Sequence, residues 1–218
     1  MNNSKKKYIA KGNCYLKIRP ADAKLPLSAN LRIIRRVYND DTYTGFAHDT
    51  YDIDENGIYY EDACWTGVSI EERENEKRIH RNEYERWVRR IRRIKKRIYE
   101  LACANSHPFQ RPLKVGDIIC IELDNHDLYY NLNCCKQYDC TEILKIVSIK
   151  DEEHITAIML DLNRYFFRVD TEPRDHKMPD EDIIKSMFLI DSNTFDRLVS
   201  LFHKTTSDLL KQMIDVYK

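Results

Sequence analysis

From residue 69 to residue 104 the chain contains neither proline nor glycine, and part of that span is patterned as a helix. Tyr84, Trp87, Ile91, Ile94, Ile98 and Leu101 alternate steps of three and four, which sets them on one narrow stripe. Ser69-Ile-Glu-Glu72 has the spacing of a capping box, and Glu71, Glu72, Glu74 and Glu76 precede the cations in the order that suits a helix dipole. The pattern predicts a single helix over 69–104. At 1.5 Å per residue it would be roughly 50 Å long. A compact body of this size does not cover that length, so part of the helix is expected to project as an arm.

The flanking segments read differently. All five glycines (Gly12, Gly45, Gly57, Gly67 and Gly116) punctuate short runs of β-branched and aromatic residues. Residues 1–68 therefore read as a β-rich region: a hairpin of "YIA" and "CYLKIR" about residues 11–13, a strand "LRIIRRVY", and two or three more in "YTGFAHDTYDIDENGIYYEDACW". Residues 105–112, with Pro108 and Pro112, form a linker. Over 113–190, "VGDIICIEL", "TEILKIVSI", "HITAIMLD", "YFFRV" and "MFLI" predict five short strands with a long early loop and an acidic loop near 170–182. That layout is similar to a small SH3-like barrel. Residues 191–218 read as an amphipathic helix capped by Ser192, with Phe195, Val199, Phe202, Thr206, Leu209, Met213 and Val216 on one face and a kink or split expected at 205–207. The expected class is α+β.

Charge supplies the functional expectation. Residues 86–98 hold eight cations (Arg86, Arg89, Arg90, Arg92, Arg93, Lys95, Lys96 and Arg97) and no acid, in a chain whose formal net charge is zero. Two copies of this helix paired with each other would set like charges opposite across the stripe, which disfavours a homodimeric coiled coil. The segment calls for something acidic. One source is phosphate, the usual partner of a cationic helix. The other is protein carboxylate. Between residues 39 and 62 lie Asp40, Asp41, Asp49, Asp52, Asp54, Glu55, Glu61 and Asp62 with no Lys or Arg. Cationic helix and acidic segment are complementary, and contacts between neighbouring subunits would fix a head-to-tail register that can close into a ring. Trp87, Ile91, Ile94 and Ile98 would then dock a partner's apolar surface. The plain alternative is a solvated helix face. Assembly is preferred over nucleic acid because a nucleic-acid domain more often carries net positive charge.

Other constellations of acids, cysteines and histidines have simpler readings. Asp52 to Ala63 matches four positions of a calcium loop, but Ala63 stands where a bidentate Glu belongs, and Asn56-Gly57 also signals a hairpin turn. Cys134, Cys135 and Cys140, with Cys120 and His126 nearby, lack the usual zinc spacing and read as reduced thiols. Phosphate loops, GxSxG and HExxH are absent, and the acids beside His126 and His176 are sequence neighbours only. No enzyme and no cofactor are expected. Seven cysteines without a paired framework suggest a reducing, intracellular origin, and no apolar run is long enough to span a bilayer.

In layout, a long helix with a small barrel over roughly 68–218 resembles the head–tail connector and neck-ring proteins of tailed bacteriophages. The Asn-, Asp-, Lys-, Ile- and Tyr-rich composition is similar to that of phage proteins from AT-rich genomes. The resemblance implies a non-enzymatic virion component and carries no site residues.

Overall fold

The computed structural model describes residues 8–22, 25–39, 44–69, 75–109, 112–123, 140–163, 165–170 and 172–218, the side chain of Asp182 excepted. In chain order the elements are β1 (Cys14–Arg19), β2 (Ser28–Asn39), β3 (Thr44–Ile53), β4 (Gly57–Thr66), β5 (Lys77–Ile79), α1 (Arg81–Ala104), β6 (Ser106–Pro108), β7 (Ile118–Leu123), β8 (Thr141–Ile149), β9 (His154–Asp161), β10 (Phe166–Val169), β11 (Arg174–Lys177), β12 (Ile184–Ile190) and α2 (Ser192–Tyr217). The chain divides into two compact units, Met1–Arg90 with Thr206–Lys218, and Ile91–Thr205. The boundary falls within both helices.

The first unit holds an antiparallel sheet in the order β5-β1-β2-β3-β4. Its β3–β4 hairpin turns through Asp54, whose Oδ1 accepts the backbone N–H groups of Asn56 at 2.8 Å and Gly57 at 2.9 Å. Gly45 lets β3 and β4 come together: a Cβ there would lie 2.0 Å from the carbonyl oxygen of Trp65. Because side chains alternate between the faces of a strand, Tyr15 shares a face with its cross-strand partner Arg32. Ile9, Tyr15, Ile34 and Phe46 form a buried cluster with Val37, Trp65 and Val68 against it.

The second unit is an antiparallel sheet in the order β10-β9-β8-β7-β12-β6, with β11 also paired to β9. Every residue of β7 is buried, so both of its faces are covered. One core gathers Ile119, Ile121, Leu144, Ile146, Ile155 and Ala157, with Phe109, Leu113, Met178, Met187 and Leu189 packed on it.

These arrangements overturn the expected fold class. Among the described residues the protein is mostly open antiparallel sheet, twelve strands with two helices, and not a β-region, a projecting helix and a small barrel. The strands of 113–190 run as an open order ending at β6 instead of closing, and the acidic loop near 170–182 contains a strand, β11. The helix expected from residue 69 starts at Arg81, because residues 77–79 pair with β1 as strand β5. The linker expected at 105–112 contributes β6, paired with β12. The layout that carried the phage-connector resemblance is therefore not the one observed.

Candidate functional site

The N-terminus of α1 is set by His80. Its carbonyl accepts from the N–H groups of Glu83 and Tyr84, and its Nδ1 accepts from the N–H of Asn82 at 3.2 Å. Ser69 is described but Glu72 lies outside the described residues, so the expected capping box is not the cap of this helix. Glu83 stands in the first turn, where a carboxylate suits the helix dipole, and is paired with Arg86.

The apolar stripe lies inside the protein. Trp87, Ile91, Ile94 and Ile98 are 2%, 3%, 8% and 0% exposed, so they form the chain's own core and not a surface for docking a partner. Lys95 is buried as well. Its ammonium donates to the carbonyl of Asn163 at 2.8 Å and lies 5.9 Å from the Phe167 ring centre. An arginine from the same run, Arg90, is half-buried and bonded to Gln212.

The remaining cations present a charged face. Arg86, Arg89, Arg92, Arg93, Lys96 and Arg97 are exposed on the side of α1 away from the stripe. Arg86 is paired with Glu83, and Lys96 with Glu100 at 3.4 Å. Among the described residues, no carboxylate pairs with Arg89, Arg92, Arg93 or Arg97. From Arg86 to Arg97 this face is about 16 Å long at 1.5 Å per residue. Three of the four are spaced i, i+4, i+8, so they stack along one side of the helix.

The acidic segment is distributed along the β3–β4 hairpin. Asp49 and Asp62 both hold Arg35, the former at 2.9 Å. Asp52 accepts from the amide of Asn30 at 2.8 Å, and Asp54 closes the turn. Glu55 and Glu61 are exposed. Arg35 is the one cation among these contacts, so the hairpin retains a net negative charge. Asp40 and Asp41 lie outside the described residues. The turn role of Asp54 is the hairpin reading of the calcium-like stretch. Among the described residues, no group of three or more His, Cys, Asp or Glu could hold a metal ion. Of the cysteine cluster, Cys134, Cys135 and His126 lie outside the described residues, while Cys120 and Cys140 are buried. The described cysteines form no disulfide with one another.

Sequence reasoning missed two buried polar clusters and a half-buried histidine beside one of them. Arg32, 2% exposed, pairs with Glu76, and its guanidinium lies 5.4, 5.2 and 5.8 Å from the ring centres of Tyr15, Phe46 and Trp65. Beside it, His48 is fully buried. Burial, then the charge of Arg32, lowers its pKa to about 4. In the second unit Asp161 stands opposite Glu142 on β8 and Arg168 on β10. Burial, aided by the Glu142 charge, raises its pKa to about 7, against the N–H of Asn163 at 2.7 Å and the charges of Arg168 and Lys95. His176, an apparent loop residue in the sequence, is on β11 with its Nε2 3.4 Å from Glu142, while the neighbouring Asp175 holds Lys150 at 2.6 Å. No local signal marks the buried pairs, because Glu76 is 44 residues from Arg32 and Glu142 lies on a different strand from Asp161.

No helix of the described residues is long and apolar enough to cross a membrane. No protein family, curated protein or solved structure matches the chain.

Proposed function

We propose that this protein is a non-enzymatic subunit of an oligomeric assembly, and that the outer face of α1 docks on an acidic protein surface. The observation that carries the reading is the set of arginines without a described carboxylate partner, Arg89, Arg92, Arg93 and Arg97. They stand on a helix whose opposite stripe is held in the core. A helix fixed in this way presents its charges without first having to order a backbone. Guanidinium groups also suit carboxylates, which they bind as a planar fork. The zero net charge of the chain and the acidic β3–β4 hairpin favour a protein surface, and a second copy supplies one. Head-to-tail pairing of this kind closes into a ring when the rotation allows, as in a phage connector.

The test is the absolute mass of the purified protein by light scattering at low and high salt. A discrete oligomer weakened by salt is expected. Reversing Arg89, Arg92, Arg93 and Arg97 to Glu should dissociate it. Reversing Glu55 and Glu61 to Lys, two acids with no turn or ion-pair duty, should do the same. An oligomer indifferent to both sets sinks the proposal. A phosphate backbone laid along the same arginines is the second reading. Its signature would be a monomer that carries 260 nm-absorbing material at low salt, sheds it at high salt, and responds only to the arginine reversals.

A further inference from the structure

The first unit has a second polar feature, separate from α1. On one face of its sheet a half-open cavity of about 250 Å³ is lined by Lys17, Arg19, Ser28, Asn30, Arg32, Asp52, Trp65 and Glu76. Register puts these side chains together. Lys17 lies opposite Asn30, and Asn30 opposite Asp52; Arg19 lies opposite Ser28.

The charges around the cavity divide into a closed set and an open one. Arg32 and Glu76 neutralise each other out of water, and the aromatic rings around Arg32 bring Trp65 to the cavity wall. Asp52 is partly engaged by the Asn30 amide. Lys17 and Arg19 have no carboxylate partner among the described residues. Ser28 lines the same cavity, and among the described residues its hydroxyl is not engaged in a side-chain hydrogen bond. A hydroxyl on the cavity wall beside two cations can donate to an anionic oxygen placed there. With Asp52 opposing Lys17 and Arg19, the open set carries one net positive charge.

We propose that this cavity binds a small molecule bearing an oxyanion, a phosphate or a carboxylate. Lys17 and Arg19 hold the charge, Ser28 donates to an anionic oxygen, the free lone pairs of Asp52 accept from a hydroxyl or amine of the ligand, and Trp65 flanks it. The inference shares Asp52 with the acidic hairpin of the assembly reading, but none of its residues lies on α1.

Isothermal titration of the full chain with sodium pyrophosphate, and separately with citrate, at an ionic strength fixed with sodium chloride, tests it. Saturable binding at one site per chain is expected for at least one of the two, and which one identifies phosphoryl or carboxylate chemistry. Lys17→Gln with Arg19→Gln should weaken binding at least tenfold, and Ser28→Ala severalfold. The four α1 arginine reversals should leave it unchanged, which separates this site from the assembly face. Amide chemical shifts give a readout that needs no variant: with pyrophosphate or citrate added, residues 17, 19, 28 and 30 should move. No saturable heat with either anion, affinity retained in the Lys17/Arg19 variant, or shift changes confined to α1 would each overturn the proposal.

Discussion

Arg32 and Glu76 keep their charges with side chains only 3% and 4% exposed. Removing two ions from water costs several kcal/mol apiece, and their attraction recovers it only while both are present. Arg32→Met should therefore destabilise the protein by about 3–5 kcal/mol, since it leaves Glu76 buried and alone. The double change Arg32→Met with Glu76→Leu should recover most of that loss. Urea unfolding of the two variants measures the difference. Asp161 provides a pH signature. Its folded-state pKa is raised from 3.8 to about 7, so its contribution is fully present below 3.8 and is lost as pH rises through 7. Asp161→Asn should gain on the parent by about 1–3 kcal/mol at pH 8. At pH 4 it should gain little. Thermal melting across that range checks the sign. His48 works in the opposite sense, because its lowered pKa gives stability that is present above 6.5 and lost as pH falls through 4. The two groups offset each other between, and only the variant isolates Asp161. None of these residues was legible in the sequence. Arg32 lies 44 residues from Glu76 and Lys95 lies 68 from Asn163, and a buried charge announces itself only through its partner.

The elements were legible in proportion to their length and periodicity. β8 and β9 alternate or run apolar over eight or nine residues and fall where their pattern predicts. α2 is one unbroken helix with Phe195, Phe202, Thr206, Leu209 and Met213 buried. Thr205 does not split it: its hydroxyl donates to the carbonyls of Leu201 at 2.6 Å and Phe202 at 3.1 Å within the helix. β5, β6 and β11 have three or four residues each, and such strands exist because a neighbour pairs with them rather than because of a pattern of their own. The acids at 71–76 imitated a helix start, while His80 sets the real one. At α2 the cap shifts by one residue from Ser192 to Asp191, whose carboxylate accepts the N–H of Thr194 at 2.8 Å and its hydroxyl at 2.6 Å. Asp191→Ala should lower the denaturation midpoint, while Ser192→Ala should hardly move it. The site was partly legible: six of the eight cations of α1 lie on an exposed face, while Lys95 and Arg90 bond within the chain, and the apolar companions assigned to a partner are covered by the chain itself.

At the scale of the molecule, equal numbers of acidic and basic residues and a pI near 7.0 leave little net repulsion between copies at neutral pH. Attraction between copies should therefore be strongest near pH 7 at low ionic strength and weaken on either side, as a light-scattering second virial coefficient would report. The first unit also combines stretches of chain that are synthesised far apart in time. The Lys77 ammonium donates to the carbonyls of Val216 at 2.7 Å and Tyr217 at 3.2 Å, and the Tyr217 hydroxyl to that of Asn75 at 3.1 Å. A contact spanning 139 residues imposes an order of events on a nascent chain. The strands β1 to β5 emerge from the ribosome early but cannot acquire their α2 partner until the entire second unit has followed, so during translation it is the second unit that has all of its own residues first.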